Sequence, residues 1–170
     1  MNPESMLKGR IAETLVEELL RQSGNLVYRF GYEAIVQNLV QLEERFDRYS
    51  EVGERIRAIP DFIVIDKKGK PDFVEVKFRW KSELHGGDYR MLEKIHKFWN
   101  AEVIFVNCWK QPYFRISSPP YVGRSKNLIA RPLLEETNWK IDRKLYAEFE
   151  NLVYRYLTPT LIPAKNDFKI

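Results

Sequence analysis

Residues 59–80, IPDFIVIDKKGKPDFVEVKFRW, hold two aspartates that each follow a proline, Asp61 and Asp72, and then the run Glu75-Val76-Lys77. Side chains along a strand alternate between its faces. Glu75 and Lys77 therefore share a face, whereas Asp72, an odd number of residues before Glu75, points the other way. A turn centred near Lys68 brings Asp61 opposite Glu75, on the same face if the pairing keeps the even register. A slip of one residue would separate them. Asp61, Glu75 and Lys77 can then converge, and Asp72 is left as a strand-start residue after Pro71. Two carboxylates beside an ammonium are suited to a definite chemistry. Hard carboxylate oxygens attract magnesium, which keeps several waters and takes one or two carboxylates together with substrate phosphate. Such a metal acidifies a water and offsets negative charge gathering at a phosphoryl centre. A neighbouring lysine orients or deprotonates the water, or stabilises the developing charge. Phosphodiester hydrolysis needs these parts. The bland alternative is a charged hairpin that merely faces solvent.

Those side chains need elements to hold them. Residues 3–23 carry Leu7, Ile11, Leu15, Val16, Leu19 and Leu20 at helical spacing, with Asn2 as cap, Pro3 in the first turn and Gly24 as stop. Leu26, Tyr28, Phe30 and Tyr32 alternate as on one side of a strand. Helical spacing returns over 34–50 through Ile35, Leu39, Leu42, Phe46 and Tyr49. A short link with Gly53 leads into the hairpin AIPDFIVID, KKGK, PDFVEVKFRW. HGGD reads as a loop in which Asp88 caps a helix to about Asn100. AEVIFV and YFRIS read as strands, SSPPYVGRSKN as an exposed loop, and 134–157 as a final amphipathic helix. The expected fold is one α/β domain over 1–170, a mixed sheet flanked by helices.

Composition limits the setting. A chain of 170 residues with 44% hydrophobic and 31% charged residues can bury a core without disulfides. The single cysteine, Cys108, excludes an internal disulfide and a cysteine-based zinc site. MNPESMLKGR lacks the apolar core of a signal peptide, and no apolar run reaches membrane-spanning length. A soluble cytoplasmic protein without a membrane partner is therefore expected. The net charge of +4 permits a polyanionic partner without demanding one.

Pro60-Asp61, thirteen intervening residues and Glu75-Val76-Lys77 resemble the motif of the PD-(D/E)xK nuclease superfamily, which has the restriction-endonuclease-like fold. The resemblance implies a core of helix, three strands, helix and strand, with about 34–50 as a helical insertion. It implies that Asp61 and Glu75 bind a catalytic Mg2+, for which Mn2+ substitutes, that the Val76 carbonyl is a further ligand, and that Lys77 activates water. It also implies that an acidic residue on the first helix completes the site, acting through a water or a second metal. KGRIAETLVEELL offers Glu13, Glu17 and Glu18. At 100° per residue, Glu13 sits at the edge of the apolar face beside Val16 and Leu20, with Gly9 leaving bare surface one turn earlier. Glu17 should lie further into solvent, and Glu18 at the other border, so Glu13 is the expected member. Lys-Gly ahead of that acidic position is similar to the superfamily's Holliday-junction resolvases. The implied activity is a metal-dependent endonuclease acting on DNA, structure-selective if the narrower similarity holds, with RNA left open and a homodimer as a common assembly. The rivals are the same fold as a DNA-binding module without chemistry, or as a protein-interaction subunit.

Basic side chains surround the motif. Arg79 and Lys81 continue the face of Lys77, and Arg90, Lys94 and Lys97 form a stripe opposite Met91, Leu92, Ile95 and Trp99. These five are the expected phosphate contacts, which position a nucleic acid without reading its sequence. Tyr89 and His96 could line the site. Neither histidine has a spacing that argues for zinc, and His85 reads as loop. Trp99, Trp109 and Trp139 are expected in the core, Trp80 beside the site, and Cys108 as a strand-end thiol.

Overall fold

Pro3 suits a first helical turn, where its missing N–H is not needed, and α1 runs Pro3–Gln22. Gly24, at φ 91°, takes the left-handed position that follows the helix. In this computed structural model, which describes residues 3–31, 47, 49–80, 84–124 and 127–158, the remaining elements follow in order. They are β1 (Leu26–Arg29), α2 (Glu51–Arg57), β2 (Phe62–Ile65), β3 (Pro71–Arg79), α3 (Gly86–Trp99), β4 (Glu102–Asn107), β5 (Phe114–Ser117), β6 (Arg131–Pro132) and α4 (Arg143–Leu157). A single 3-10 turn, Leu133–Glu135, follows β6. The six strands form one mixed sheet in sequence order, antiparallel throughout except for the parallel pair β3–β4. A parallel pair needs a crossover, and α3 supplies it.

The sheet has two covered faces, as expected of an α/β fold. Val64, Val74, Val76, Ile104 and Val106 face α1 and α4, packing with Val16, Leu20, Phe149 and Val153. Val103 and Phe105 face the other way, against Leu92 and Ile95 of α3. The implied order of helix, three strands, helix and strand is present as α1, β1–β3, α3 and β4. Among the described residues no helix is long and apolar enough to cross a membrane.

Several elements differ from expectation. Apart from Asp47, Tyr49 and Ser50, the expected 34–50 helix lies outside the described residues, as do Asn2 and Lys81. Where a link was expected, α2 is a helix with Gly53 buried inside it. Ser50 caps it, its Oγ accepting from Gly53 N at 3.0 Å. Glu51 and Glu54 in the first turn and Arg55 and Arg57 in the last complement the helix dipole. Ser50→Ala is expected to lower stability by about 1 kcal/mol, read as a lower urea midpoint at unchanged m-value.

The final helix starts at Arg143, capped by Asp142, whose Oδ1 accepts from Lys144 N and Leu145 N at 2.9 Å. The stretch before it is irregular because Trp139 turns into the core and its indole N–H donates to Asp72 Oδ2 at 3.1 Å. Helix α3 takes Gly86 and Gly87 into its first turn, so HGGD is no loop. Asp88 caps from inside the helix, accepting from His85 N at 2.9 Å. On β1 the buried residue is Val27, while Leu26 and Tyr28 are 60% and 54% exposed. This outer strand buries only the face turned to α1. Leu7 and Trp109 are also exposed, and Tyr121 is buried within the loop expected on the surface.

Candidate active site

The hairpin pairs Phe62 with Val74, so Asp61, one residue outward, stands opposite Glu75. This is the even register. Asp66 fixes the turn by accepting from Lys68 N at 2.7 Å and Lys70 N at 2.8 Å, with Gly69 at φ 83°. Three hydrogen bonds then anchor Asp61. Its Oδ2 accepts from Val76 N at 2.8 Å, and its carbonyl accepts from Phe30 N at 2.8 Å and Gly31 N at 3.1 Å. Asp72 faces the opposite side, toward Trp139.

Glu75 is buried and forms an ion pair with Lys77. Burial pushes the Glu75 carboxyl up to about 7 from an ordinary 4.5, with the charges of Asp61 and Glu13 adding to the rise and Lys77 opposing it. Burial would lower the Lys77 ammonium, but Glu75 and Asp61 outweigh it and hold Lys77 above its ordinary value. Clustering of like charges and desolvation is costly for folding and typical of chemical sites.

Glu13, Asp61, Glu75 and Lys77 line one cleft of about 1110 Å³, with Gly9 in its wall and Trp80 at its side. A Cβ at Gly9 would meet nothing, so this stretch of α1 leaves the cleft open beside Glu13. Glu17 does not point into solvent as expected. It is buried and joins Arg21 at 2.9 Å and Arg29 at 2.5 Å, tying α1 to β1. Glu18 accepts from Gln22 on the helix surface. The structure thus brings Glu13, and neither neighbouring glutamate, to the hairpin carboxylates.

The expected phosphate contacts fare differently. The Arg79 guanidinium pairs with Asp88 and donates to Phe78 O at 2.7 Å, which straps β3 to the start of α3. Lys94 and Lys97 meet Glu54 at 2.7 Å and Glu51 at 3.7 Å, both on the unforeseen α2. Arg90 lines a smaller cavity that adjoins the cleft. Arg10, Arg29 and Arg57 line the cleft and were missed. Nothing in the sequence reading marked Arg57, because the helix that presents it, α2, was expected to be a link. Lys8 Nζ lies 3.8 Å from the Trp80 ring centroid. His85 lines the cleft, whereas Tyr89 and His96 line neither cavity. Cys108 is buried just past β4, its thiol pushed up to about 12 by desolvation, which leaves it inert as a nucleophile.

Among the described residues no group of three or more His, Cys, Asp or Glu side chains is gathered as a ready metal cage. Magnesium does not ask for one. One or two carboxylates, completed by waters and substrate phosphate, are its ordinary set, and the facing pair Asp61 and Glu75 fits it.

No protein-family model matches the chain, and no curated protein does. Among solved structures, the chain is similar to Hjc, a Holliday junction resolvase from the archaeal hyperthermophile Archaeoglobus fulgidus. That similarity covers 82% of this chain and 98% of the other, at 15% identity and a TM-score of 0.39.

Proposed function

We propose that the chain is a metal-dependent endonuclease of the PD-(D/E)xK superfamily that hydrolyses phosphodiester bonds in DNA. The observation that carries this reading is the hairpin register. It sets Asp61 opposite Glu75 with Lys77 on the same face, all lining one open cleft. Asp61, Glu75 and the Val76 carbonyl would hold Mg2+ or Mn2+, with Glu13 acting through a water. When bound, the metal supplies an acidified water and neutralises charge on the phosphoryl group. The chain's own part is orientation and proton handling. Asp61 is fixed by the Val76 N–H, and Lys77, beside Glu75, would orient the attacking water or stabilise the further negative charge that builds on the already anionic phosphodiester in the transition state. Of the four arginines that line the cleft, Arg79 is engaged by Asp88, and Arg10, Arg29 and Arg57 would bind flanking phosphates together with Arg90.

A homodimer in the cytoplasm belongs to the same reading. The exposed Tyr154 and Tyr156 of α4 provide surface for a second copy. One observation favours a second reading, a DNA-binding module without chemistry. Both hairpin carboxylates already have partners within the protein, Glu75 in Lys77 and Asp61 in the Val76 N–H.

A cleavage assay on supercoiled, linear, single-stranded and four-way-junction DNA, with a single-stranded RNA beside them, separates the two. Cutting that requires Mg2+ or Mn2+ and stops with EDTA is the expected result, and the preferred substrate would define the subclass. DNA binding without cutting under either metal would favour the binding module.

A further inference from the structure

We infer that Trp80 is a stacking platform for an unpaired base of the substrate DNA, close to the reacting phosphate. The inference rests on the nuclease reading above and deepens it, because only a single-stranded, frayed or branched strand offers such a base. Trp80 is half-buried, yet it belongs to neither apolar layer of the sheet. Two other tryptophans serve the structure differently. Trp139 is buried and donates to Asp72 at 3.1 Å. Trp99 packs edge-on against Phe30 and Phe73 and donates to the Arg55 carbonyl at 3.2 Å.

Trp80 instead lines the cleft of about 1110 Å³, together with Met6, Gly9 and Phe78. Lys8 Nζ stands 3.8 Å from its ring centroid, and Glu4 pairs with Lys8 from one turn earlier on α1. The Phe78 ring crosses it at 74°, with centroids 5.4 Å apart. The lysine closes one face of the indole and Phe78 fixes its tilt, so the rest of the ring turns to the cleft. A rigid aromatic surface in a basic cleft is suited to a nucleobase, which stacks on it whatever its sequence. The half-exposed Met6 thioether adds an adaptable apolar contact beside it. Trp80 follows Lys77 by three residues, roughly 10 Å along an extended strand. The base that reaches it therefore belongs to a nucleotide near the scissile one. In an intact duplex that base must first leave its own stack, so Trp80 favours strands that are already open.

The test measures binding of short fluorescein-labelled DNA, single-stranded and fully paired, to the full chain in EDTA, by anisotropy across a salt series. Trp80→Ala is expected to weaken single-strand binding about 5- to 100-fold, the worth of one stacked base, and to change duplex binding much less. The slope of log affinity against log salt should stay the same, because no phosphate contact is lost. Trp80→Phe should keep most of the affinity. Trp109→Ala removes a tryptophan that is 70% exposed but does not line the cleft, and should change nothing. Thermal melts run alongside. Single abasic positions moved along the strand need no variant and add the decisive arm. At one position, wild type should bind as weakly as Trp80→Ala, and Trp80→Ala should not notice the missing base. Wild type that binds single strands equally at every abasic position would overturn the platform. So would Trp80→Ala that keeps wild-type affinity, or that loses single-strand and duplex binding in equal measure with a smaller salt slope. No DNA binding by wild type at any salt would instead remove the nuclease reading itself, and the platform with it.

Discussion

Lys77→Ala is expected to lower the rate of DNA cleavage by about 10²–10⁴-fold, the usual worth of one positioned acid–base or charge-stabilising group, while leaving DNA affinity unchanged. Lys77 pairs with Glu75 in the cleft, so the substitution removes an ammonium from the reacting centre rather than from the outer surface. The variant should still fold. Leaving one buried charge without its partner ordinarily costs roughly 3–5 kcal/mol. Glu75 has an exit from that penalty, because its carboxyl, already pushed up to about 7 by burial, takes up a proton when the counter-charge is gone. Single-turnover cleavage, anisotropy binding and a thermal melt on the same preparation decide the matter. A variant that cuts at the wild-type rate would take Lys77 out of the chemistry. One that loses binding and cleavage in equal measure would make it a phosphate contact.

The second expectation concerns pH and metal. In the folded protein Glu75 holds its proton up to about pH 7, against an ordinary 4.5. Between those values the folded state binds more protons than the unfolded one. The contribution of Glu75 to stability is therefore fully present below about pH 4.5 and is lost as pH rises through 7. A divalent cation needs the carboxylate and must displace that proton. Mn2+ affinity should thus rise about tenfold per pH unit below neutrality and level off above about pH 7. Isothermal titration of wild type with Mn2+ over this range reads it directly. In Lys77→Ala the plateau should move to higher pH, since Lys77 is the charge that opposes the rise. An affinity that is flat from pH 5 to 7 would mean that Glu75 is not a ligand or that its carboxyl is not raised in the fold.

The hairpin could be read from the residues because everything that sets it is local. A period of two, a turn with Gly69 and a carboxylate at Asp66 are enough to place Asp61 across from Glu75. Helix geometry likewise sufficed for Glu13, whose direction follows from α1 alone. Glu17 went wrong because its burial depends on Arg29, a partner on another element. The stripe of Lys94 and Lys97 looked free because the stretch around Gly53 was read as a short link, whereas Gly53 is buried within the helix α2. On β1, Leu26 and Tyr28 alternate as an inward face would, yet an outer strand buries only Val27 here. The start of α4 was misplaced since Leu134 and Ile141 keep an apolar rhythm while the chain between them bends to bury Trp139. In each failure a tertiary contact overrode a local pattern.

The turn of Lys67–Lys70 makes the chain unevenly editable. Side chains on β3 alternate between the apolar layer under α1 and the cleft. One residue added to or lost from that turn would change the parity of the whole strand against β2. Val74 and Val76 would then face the cleft, and Glu75 and Lys77 would enter the hydrophobic layer. A family of such sequences would therefore tolerate length changes between β1 and α2 far more readily than between β2 and β3. The interval from Asp61 to Glu75 should be among its most sharply kept lengths.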